Sequence, residues 1–279
     1  MGDRYGSGSG GCGRLLIALV VVVVTLIGYF GSRQKNPVTG ETQHVADLTA
    51  KDEIALGLQA APELAQQYGG QSSNRAGQAK VSEVGERLVR GSKAGGSPYQ
   101  FAFHLLDDDR TINAFALPGG QVFITDALFN RLKTEGQLAG VLGHEIGHVV
   151  DRHGAQHLAK QQLLQGLGGA AVIAAGDPNH PDTSRRNQMV ALAVAQLVNL
   201  KFGRNDELRA DQLGVEYMGQ AGYDPRAMLG VMEILRDAAK GGRQPEFFST
   251  HPNPENRMAR IQEAIKKAYP NGIPAGLEK

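Results

Sequence analysis

The sequence lacks the features that would indicate a nucleic-acid-binding or a disulfide-rich protein. Its 279 residues carry a net charge of +1, and the basic residues are neither clustered nor interleaved with aromatic ones. We therefore predict no nucleic-acid partner. The single cysteine, Cys12, lies close to the first residue. The rest of the chain has no thiol to oxidise, which suits an exported location without requiring it.

Long apolar runs are also scarce. The main charge-free run extends from Leu15 to Phe30 and follows Arg14. As a helix it would span roughly 24 Å against roughly 30 Å of hydrocarbon, which is short but sufficient with flanking residues and local bilayer thinning. A cleaved signal peptide is the alternative. We favour an uncleaved transmembrane anchor, because Tyr29 and Phe30 occupy positions where a cleavage site would need small residues.

The most informative stretch reads His144-Glu145-Ile146-Gly147-His148. Residues four apart share one face of an α-helix, so both histidines can point at one metal ion, and Glu145 beside them can act as a base. The flanking residues are mostly apolar, which predicts a buried helix. A bound cation is the simplest reason to bury two imidazoles and a carboxylate there. The alternative is a pair of hydrogen-bonded core histidines with a glutamate that faces solvent.

A catalytic zinc ion usually has a third protein ligand. The extended motif that supplies it as a nearby histidine is excluded, because Gly154 stands at that position. His153 and His157 would lie on the opposite face of a continuing helix, and we interpret them as ordinary surface or core histidines. The better candidate is Glu207. Asp211, four residues later on a predicted helix, could accept a free ring N–H from a ligand histidine. The alternative for this pair is an exposed acidic helix face.

Four blocks of the sequence together resemble one family of zinc metallopeptidases, which contains the bacterial heat-shock protease HtpX and the type I CAAX prenyl proteases. The chain is most similar to the small, minigluzincin-like branch, and it lacks the four-span membrane layout of the heat-shock branch. The resemblance covers roughly Leu48 to Ala268. The blocks, in the family's order, are Ile112 to Gly120, His144 to His148, Glu207 to Asp211 and Ser249 to Pro252.

This resemblance implies a gluzincin-type endopeptidase that binds one Zn²⁺ per chain. His144, His148 and Glu207 would be the metal ligands, and Glu145 would be the general base and acid. The expected substrates are peptide bonds of unfolded or damaged membrane and envelope proteins, as in protein quality control. One alternative is a non-catalytic, membrane-tethered chaperone or binding protein that keeps zinc for its structure, and another is zinc-dependent hydrolysis of a different bond.

The resemblance also implies an edge strand at Thr111 to Leu117, beside the metal. An extended peptide can add to such an edge as a further strand. We predict Asn113 and Ala114 as contact positions, with ordinary strand residues as the alternative.

The last block places His251 beside the cleft. Its ring could stabilise the oxyanion of the tetrahedral intermediate, or fill the open position on zinc and hold the enzyme idle. The alternative is that His251 only caps the final helix. We interpret Arg257, six positions later, as a charge on the surface of that helix, with an electrostatic role similar to that of His251 as the alternative.

The overall pattern predicts an α+β fold, mostly helical, with a small sheet beside the active-site helix. Helices are expected at Leu48 to Gln67, interrupted by Pro62, and at Ala79 to Arg90. The four glycines of the active-site helix predict that another backbone packs closely on it. The strand candidates are Tyr99 to Leu106, Thr111 to Leu117 and Gln121 to Thr125.

Two apolar stretches, Leu163 to Ala175 and Met189 to Leu200, predict a packed helical pair, with a re-entrant membrane hairpin as the less favoured alternative. The predicted organisation is a glycine-rich tail (1–14), an anchor or signal sequence (15–31), a linker (32–46), the metallopeptidase domain (47–268) and a C-terminal tail (269–279). We expect a single-pass protein of a bacterial inner membrane with its domain in the periplasm.

Overall fold

Helices make up most of the computed structural model, which describes residues 10–45, 48–175, 201–240, 244–252 and 256–279. The helices are α1 (Gly10–Gly31), α2 (Ala50–Gln67), α3 (Arg75–Gly91), α4 (Asp126–Phe129), α5 (Glu135–Val150), α6 (His153–Ala175), α7 (Arg204–Gln220), α8 (Ala227–Lys240), α9 (Phe247–Thr250) and α10 (Arg257–Ala268), with a 3₁₀ turn at Lys93–Gly96. The strands are β1 (Arg33–Lys35), β2 (Thr42–His44), β3 (Ala102–Leu106), β4 (Ala114–Leu117) and β5 (Gln121–Thr125). The predicted α+β class is confirmed.

The larger sheet has three strands in the order β3-β5-β4, so β4 lies at its edge. Strand β5 pairs parallel with β3 and antiparallel with β4. The β4–β5 connection runs through Gly119 and Gly120, which have φ angles of +84° and +109°. Such backbone favours glycine, and a Cβ on Gly119 would also collide with the backbone of Ile54. All three predicted strands are present, each within its predicted range.

The active-site helix α5 lies at the centre of the domain, and every residue from Leu138 to Val150 is buried. Its glycines lie against other backbone, as predicted. A Cβ on Gly143 would be 3.5 Å from the Cα of Gly214, and one on Gly147 would be 3.0 Å from the main-chain oxygen of Ala210. The backbones of α5 and α7 are therefore in close contact at these glycines.

Two local predictions differ from the structure. Helix α2 begins after its N-cap Thr49, close to the predicted start at Leu48, but it continues through Pro62 to Gln67. The proline is exposed, and it lies in the last two turns of the helix. Solvent can therefore reach the carbonyl that its missing N–H leaves free. Residues 33–44 show no strand period in the sequence, yet β1 and β2 pair there as an antiparallel hairpin.

Helix α1 is apolar and packs along α6. A Cβ on Gly166 of α6 would lie only 2.5 Å from the side chain of Thr25 in α1. Residues 13–31 are long and apolar enough to cross a membrane, and few of them are buried. The first apolar stretch, Leu163 to Ala175, forms the second half of α6. The second stretch, Met189 to Leu200, lies outside the described residues.

Candidate active site

The two histidines of the sequence motif lie side by side on α5. Their Nε2 atoms are 3.1 Å apart, and both side chains are buried. Burial lowers the pKa of His148 well below its ordinary value. Burial also disfavours the protonated form of His144, but the carboxylates of Asp211 and Glu207 beside its ring outweigh this effect and raise the pKa of His144 to about 9. His148 is thus neutral, whereas the ring of His144 has a carboxylate on each side.

Helix α7 brings Glu207 to these histidines. Its Oε2 lies 3.4 Å from His144 Nε2, and its Oε1 lies 3.3 Å from His148 Nε2. Glu207 is fully buried. Burial acts to raise the pKa of this carboxyl, but the imidazoles of His251, His144 and His148 hold it well below its usual range. The buried side chain is therefore an anion that faces two ring nitrogens.

The spacing of these atoms fits a tetrahedral metal centre. Nitrogen and oxygen ligands about 2.0–2.1 Å from Zn²⁺ lie about 3.3–3.4 Å from one another, and the contacts of Glu207 with both histidines fall in that range. Ligand atoms of His144, His148, Glu207 and His251 all lie within 4.8 Å of one another. The Oε2 atom of Glu207 also has no hydrogen-bond partner among the described residues. The donor set fits the metal that the sequence predicts.

Glu145 lies beside this cluster and is fully buried. Neither of its carboxylate oxygens has a hydrogen-bond partner in the described part of the chain. The Nε2 atom of His251 lies 3.6 Å from Glu145 Oε1. Burial raises the pKa of the Glu145 carboxyl above its usual range, which suits a group that must gain and lose a proton near neutral pH.

Asp211 contacts the outer nitrogen of His144, as the four-residue spacing from Glu207 suggested. The distance from Asp211 Oδ1 to His144 Nδ1 is 2.9 Å. Burial acts to raise the pKa of Asp211, but the charge of Arg257 and the hydrogen bonds from both neighbours hold it below its usual range. Asp211 therefore remains an acceptor that can fix which nitrogen of His144 carries the proton.

The prediction that Arg257 is a surface charge is wrong. Its side chain is buried and donates from Nε and Nη2 to the two oxygens of Asp211, at 2.7 and 2.8 Å. Its Nη1 lies 3.1 Å from Glu207 Oε2. Arg257 continues the buried face of α10 that Ile261 and Ile265 form at four-residue intervals. That periodicity is the sequence signal that would have identified it as buried.

His251 occupies the fourth corner of the cluster. Its Nδ1 lies 3.4 Å from His144 Nε2 and 3.0 Å from Glu207 Oε1. The ring stacks on Phe247, with centroids 4.5 Å apart, and is fully buried. It does not cap the final helix, because the N-cap of α10 is Asn256.

His153 lies in the core beside the motif, whereas helical periodicity placed it on the opposite face. Its Nδ1 is 2.9 Å from the Nδ1 of His148. The periodicity fails because α5 ends at Val150 and Arg152 has a φ of 56°, so α6 starts in a new direction. His157, the other histidine of α6, contacts Asp206 at 2.8 Å. Neither forms a second metal cluster among the described residues.

Asn113 and Ala114 lie at the start of the edge strand β4, and both are fully buried. The Asn113 side chain donates to the hydroxyl of Tyr68 at 3.0 Å, and that hydroxyl donates to Glu246 at 2.7 Å. The structure therefore brings the edge strand next to the chain segment that carries His251.

Comparison with known proteins gives independent information on this chain. The model of peptidase family M48 matches residues 75–265. The chain is 34% identical over 196 residues to the beta-barrel assembly-enhancing protease of Escherichia coli (strain K12), a match that covers 68% of this chain and 39% of that protein. It is 34% identical over 193 residues to the mitochondrial metalloendopeptidase OMA1 of Schizosaccharomyces pombe, covering 67% of this chain and 53% of that protein. It is also 26% identical over 195 residues to the metalloprotease YcaL of Escherichia coli (strain K12), covering 67% of this chain and 72% of that protein.

The chain therefore spans about two fifths of the length of the beta-barrel assembly-enhancing protease. The match to the family model covers more than half of this chain and includes the histidine motif, Glu207, Asp211, His251 and Arg257. The resemblance inferred from four short blocks is thus confirmed, and the chain belongs to peptidase family M48, a family of zinc metallopeptidases.

Proposed function

We propose that this chain is a zinc-dependent endopeptidase that binds one Zn²⁺ through His144, His148 and Glu207. The observation that carries the proposal is the convergence of these three buried side chains at 3.1–3.4 Å from one another. Beside them lies the buried carboxylate of Glu145, which has no hydrogen-bond partner among the residues that the structure describes. When bound, Zn²⁺ acts as a Lewis acid that lowers the pKa of a bound water to about 7.

The protein's own part in the reaction is proton transfer and positioning. Glu145 accepts a proton from the attacking water at one of its carboxylate oxygens and returns it to the leaving amine, a role typically worth about 10²–10⁴-fold in rate. Asp211 accepts the Nδ1–H of His144 and holds that ring in place. Arg257 pairs with both Asp211 and Glu207 and offsets part of their negative charge, which helps to bury two carboxylates close together.

We propose that His251 holds the site in a resting state. Its Nδ1 occupies the fourth corner of the ligand cluster, where a catalytic site keeps an open position. In this arrangement its Nε2 faces Glu145. A displaced His251 would be free to donate to the oxyanion that forms during the reaction, so the two roles suggested by the sequence belong to two positions of one ring.

Substrate binding is proposed to use the edge strand β4. The predicted contact positions Asn113 and Ala114 are both fully buried, so the partly exposed Ala116 is the position of this edge that a peptide reaches first. Hydrogen bonding alternates along an antiparallel pair, and the Asn113 carbonyl accepts from Thr125 of β5. Ala114 and Ala116 therefore direct their backbone groups away from β5. Ile112, also on this free side, already accepts from the backbone N–H of Phe247 at 3.1 Å. An extended peptide could add along the same edge.

Recognition through the backbone suits unfolded chains, because it depends little on side-chain sequence. We propose that the substrates are unfolded or damaged membrane and envelope proteins. The relative named as a beta-barrel assembly-enhancing protease supports this choice. The apolar helix α1 supports a single-pass anchor, and we propose a bacterial inner membrane with the domain in the periplasm. The boundaries at residues 32, 47 and 269 remain predictions.

The test compares wild type with Glu145→Gln and with Glu63→Gln, an exposed glutamate of α2, as the control. Wild type and the control should cleave casein in a chelator-sensitive manner, while Glu145→Gln should keep its zinc and lose the cleavage. Casein cleavage by Glu145→Gln at the wild-type rate would refute the assignment of Glu145. A wild-type protein that holds zinc and cleaves neither casein nor a library of peptides would support the non-catalytic alternative, in which four protein ligands close the site.

A further inference from the structure

The outer nitrogen of His148 faces another imidazole rather than a carboxylate. His148 Nδ1 lies 2.9 Å from His153 Nδ1, and both rings are buried. Two ring nitrogens at that distance need one proton between them. If Nε2 of His148 binds the metal, the proton of its neutral ring is on Nδ1, so His148 donates and His153 accepts.

This assignment fixes the next hydrogen bond as well. A neutral His153 that accepts at Nδ1 carries its own proton on Nε2, which lies 3.2 Å from Asp151 Oδ2. Asp151 is buried. The hydrogen bonds therefore run from His148 to His153 and from His153 to Asp151. The other ligand histidine, His144, reaches its carboxylate, Asp211, directly.

Backbone geometry holds His153 in this place. Arg152 adopts a left-handed conformation with a φ of 56°, which is sterically unfavourable for an L-residue. Its guanidinium is held by the buried Glu53, by the main-chain oxygen of Leu48 at 3.0 Å and by Gln34 at 2.8 Å. These contacts stabilise the turn that directs His153 back towards the metal ligands.

The hairpin that follows α1 supplies further contacts of Asp151, and Arg209 Nε of α7 lies 3.5 Å from Asp151 Oδ2. Thr39 Oγ1 and Gln43 Nε2 donate to Asp151 Oδ1 at 3.0 and 2.9 Å. Asn36 donates to the main-chain oxygen of Val150, the last residue of α5, at 2.7 Å. Asn36 and Gln43 are both buried. The segment next to the apolar helix thus contacts the end of the active-site helix.

We propose that His153 and Asp151 are positioning residues for the metal ligand His148, and that Thr39 and Gln43 of the hairpin complete this support. The inference rests on the proposed function, because it requires His148 to bind a metal. Partners of metal ligands typically change metal affinity by about 10–100-fold when they are replaced. The hairpin would then influence metal binding through Asp151, although it contributes no ligand.

The test measures Zn²⁺ affinity by competition with a chelator, on the full chain in detergent. We expect His153→Phe, which keeps a ring but removes the acceptor, to lower the affinity about 10–100-fold. His153→Gln keeps an acceptor oxygen and should recover part of the loss. Asp151→Asn and Gln43→Ala should also lower the Zn²⁺ affinity, by smaller factors than His153→Phe. The matched control is His157→Phe on the same helix, which should stay within about twofold of wild type, because His157 contacts Asp206 and not His148.

Thermal unfolding of the metal-free proteins separates positioning from general stability. If His153 acts on the metal ligand, His153→Phe and His157→Phe should have similar melting temperatures without zinc. Added zinc should then raise the melting temperature of His153→Phe by less than that of His157→Phe. Equal zinc affinities for His153→Phe and wild type would overturn the inference and leave the proposed function intact. If wild type binds no Zn²⁺, both are overturned. Should His153→Phe not fold, the comparison of Asp151→Asn and Gln43→Ala with wild type decides, and unchanged affinity in both would overturn the proposal.

Discussion

The main-chain oxygen of Ala210 lies 3.0 Å from the point that a Cβ on Gly147 would occupy, and its Cα lies 3.2 Å from it. This contact joins the metal-binding motif of α5 to the helix that carries Glu207. At Gly143, one turn earlier, the nearest atoms of α7 are 3.5 Å from the same point, which is an ordinary van der Waals distance. The two glycines therefore differ in how much space a methyl group would find.

Gly147→Ala should destabilise the protein and weaken zinc binding. The new methyl group meets backbone, which cannot move without α7, and forced packing of this kind costs about 1–3 kcal/mol. Gly143→Ala is the matched control and should stabilise the helix by up to about 1 kcal/mol. Urea unfolding and chelator competition on both variants provide the measurement. Equal behaviour of the two variants would contradict the role assigned to the close approach at Gly147.

Arg257→Met should lower the free energy of unfolding of the metal-free protein by about 3–5 kcal/mol, because it removes the buried guanidinium that pairs with both Asp211 and Glu207. Arg260→Met on the same helix is the control. Arg260 pairs with Glu263, and both side chains are exposed, so its loss should cost less than about 1 kcal/mol. Denaturant titration of both variants measures the difference. A loss below 1 kcal/mol for Arg257→Met would argue against a buried ion pair.

Glu207→Ala should lose both zinc and proteolysis, in contrast to Glu145→Gln, which should lose proteolysis alone. The side chain of Glu207 faces both ligand histidines, and two imidazoles without a third ligand hold zinc weakly. Glu216→Ala removes a glutamate from the same helix that pairs with Lys93, and it should keep both properties. Metal analysis after gel filtration measures the difference, and stoichiometric zinc in Glu207→Ala would exclude Glu207 as a ligand.

His251→Ala should raise the basal cleavage of an unfolded substrate while the three remaining ligands retain zinc. The reason is that removal of the ring frees the fourth corner of the cluster. The initial rate of casein cleavage, normalised to bound zinc, is the measurement. A lower rate with zinc retained would show that the oxyanion contribution outweighs the resting contact, and an unchanged rate would leave His251 with a structural role only.

Local periodicity was sufficient to predict some parts of this site. The four-residue spacings of His144 with His148 and of Glu207 with Asp211 place each pair on one helix face, and the structure shows that arrangement. The glycines of α5 correctly predicted a close neighbouring backbone. Spacing did not reveal which histidine Asp211 would contact, because that depends on how α7 crosses α5.

The missed features depend on breaks in periodicity or on long-range packing. His153 was assigned to the wrong face because the chain turns at Arg152, where neither glycine nor proline marks a break. The hairpin at residues 33–44 was missed because three-residue strands are too short to show alternation. Asn36 and Gln43 are polar residues that become buried only by contact with Val150 and Asp151, more than a hundred positions later in the chain.

The four corners of the cluster come from segments that lie far apart in the chain, since His144 and His251 are separated by 107 positions. An ion bound there would cross-link α5, α7 and the segment before α10. The unfolded chain cannot bring these side chains together, so it binds the ion much more weakly than the folded protein does. Zinc binding therefore stabilises the folded state, by about 4 kcal/mol when the free zinc concentration is about a thousand times the Kd. Chelation should therefore lower the melting temperature of the whole domain and make it easier to digest with added trypsin. The supply of zinc would then determine the half-life of this protein in a compartment that contains other proteases.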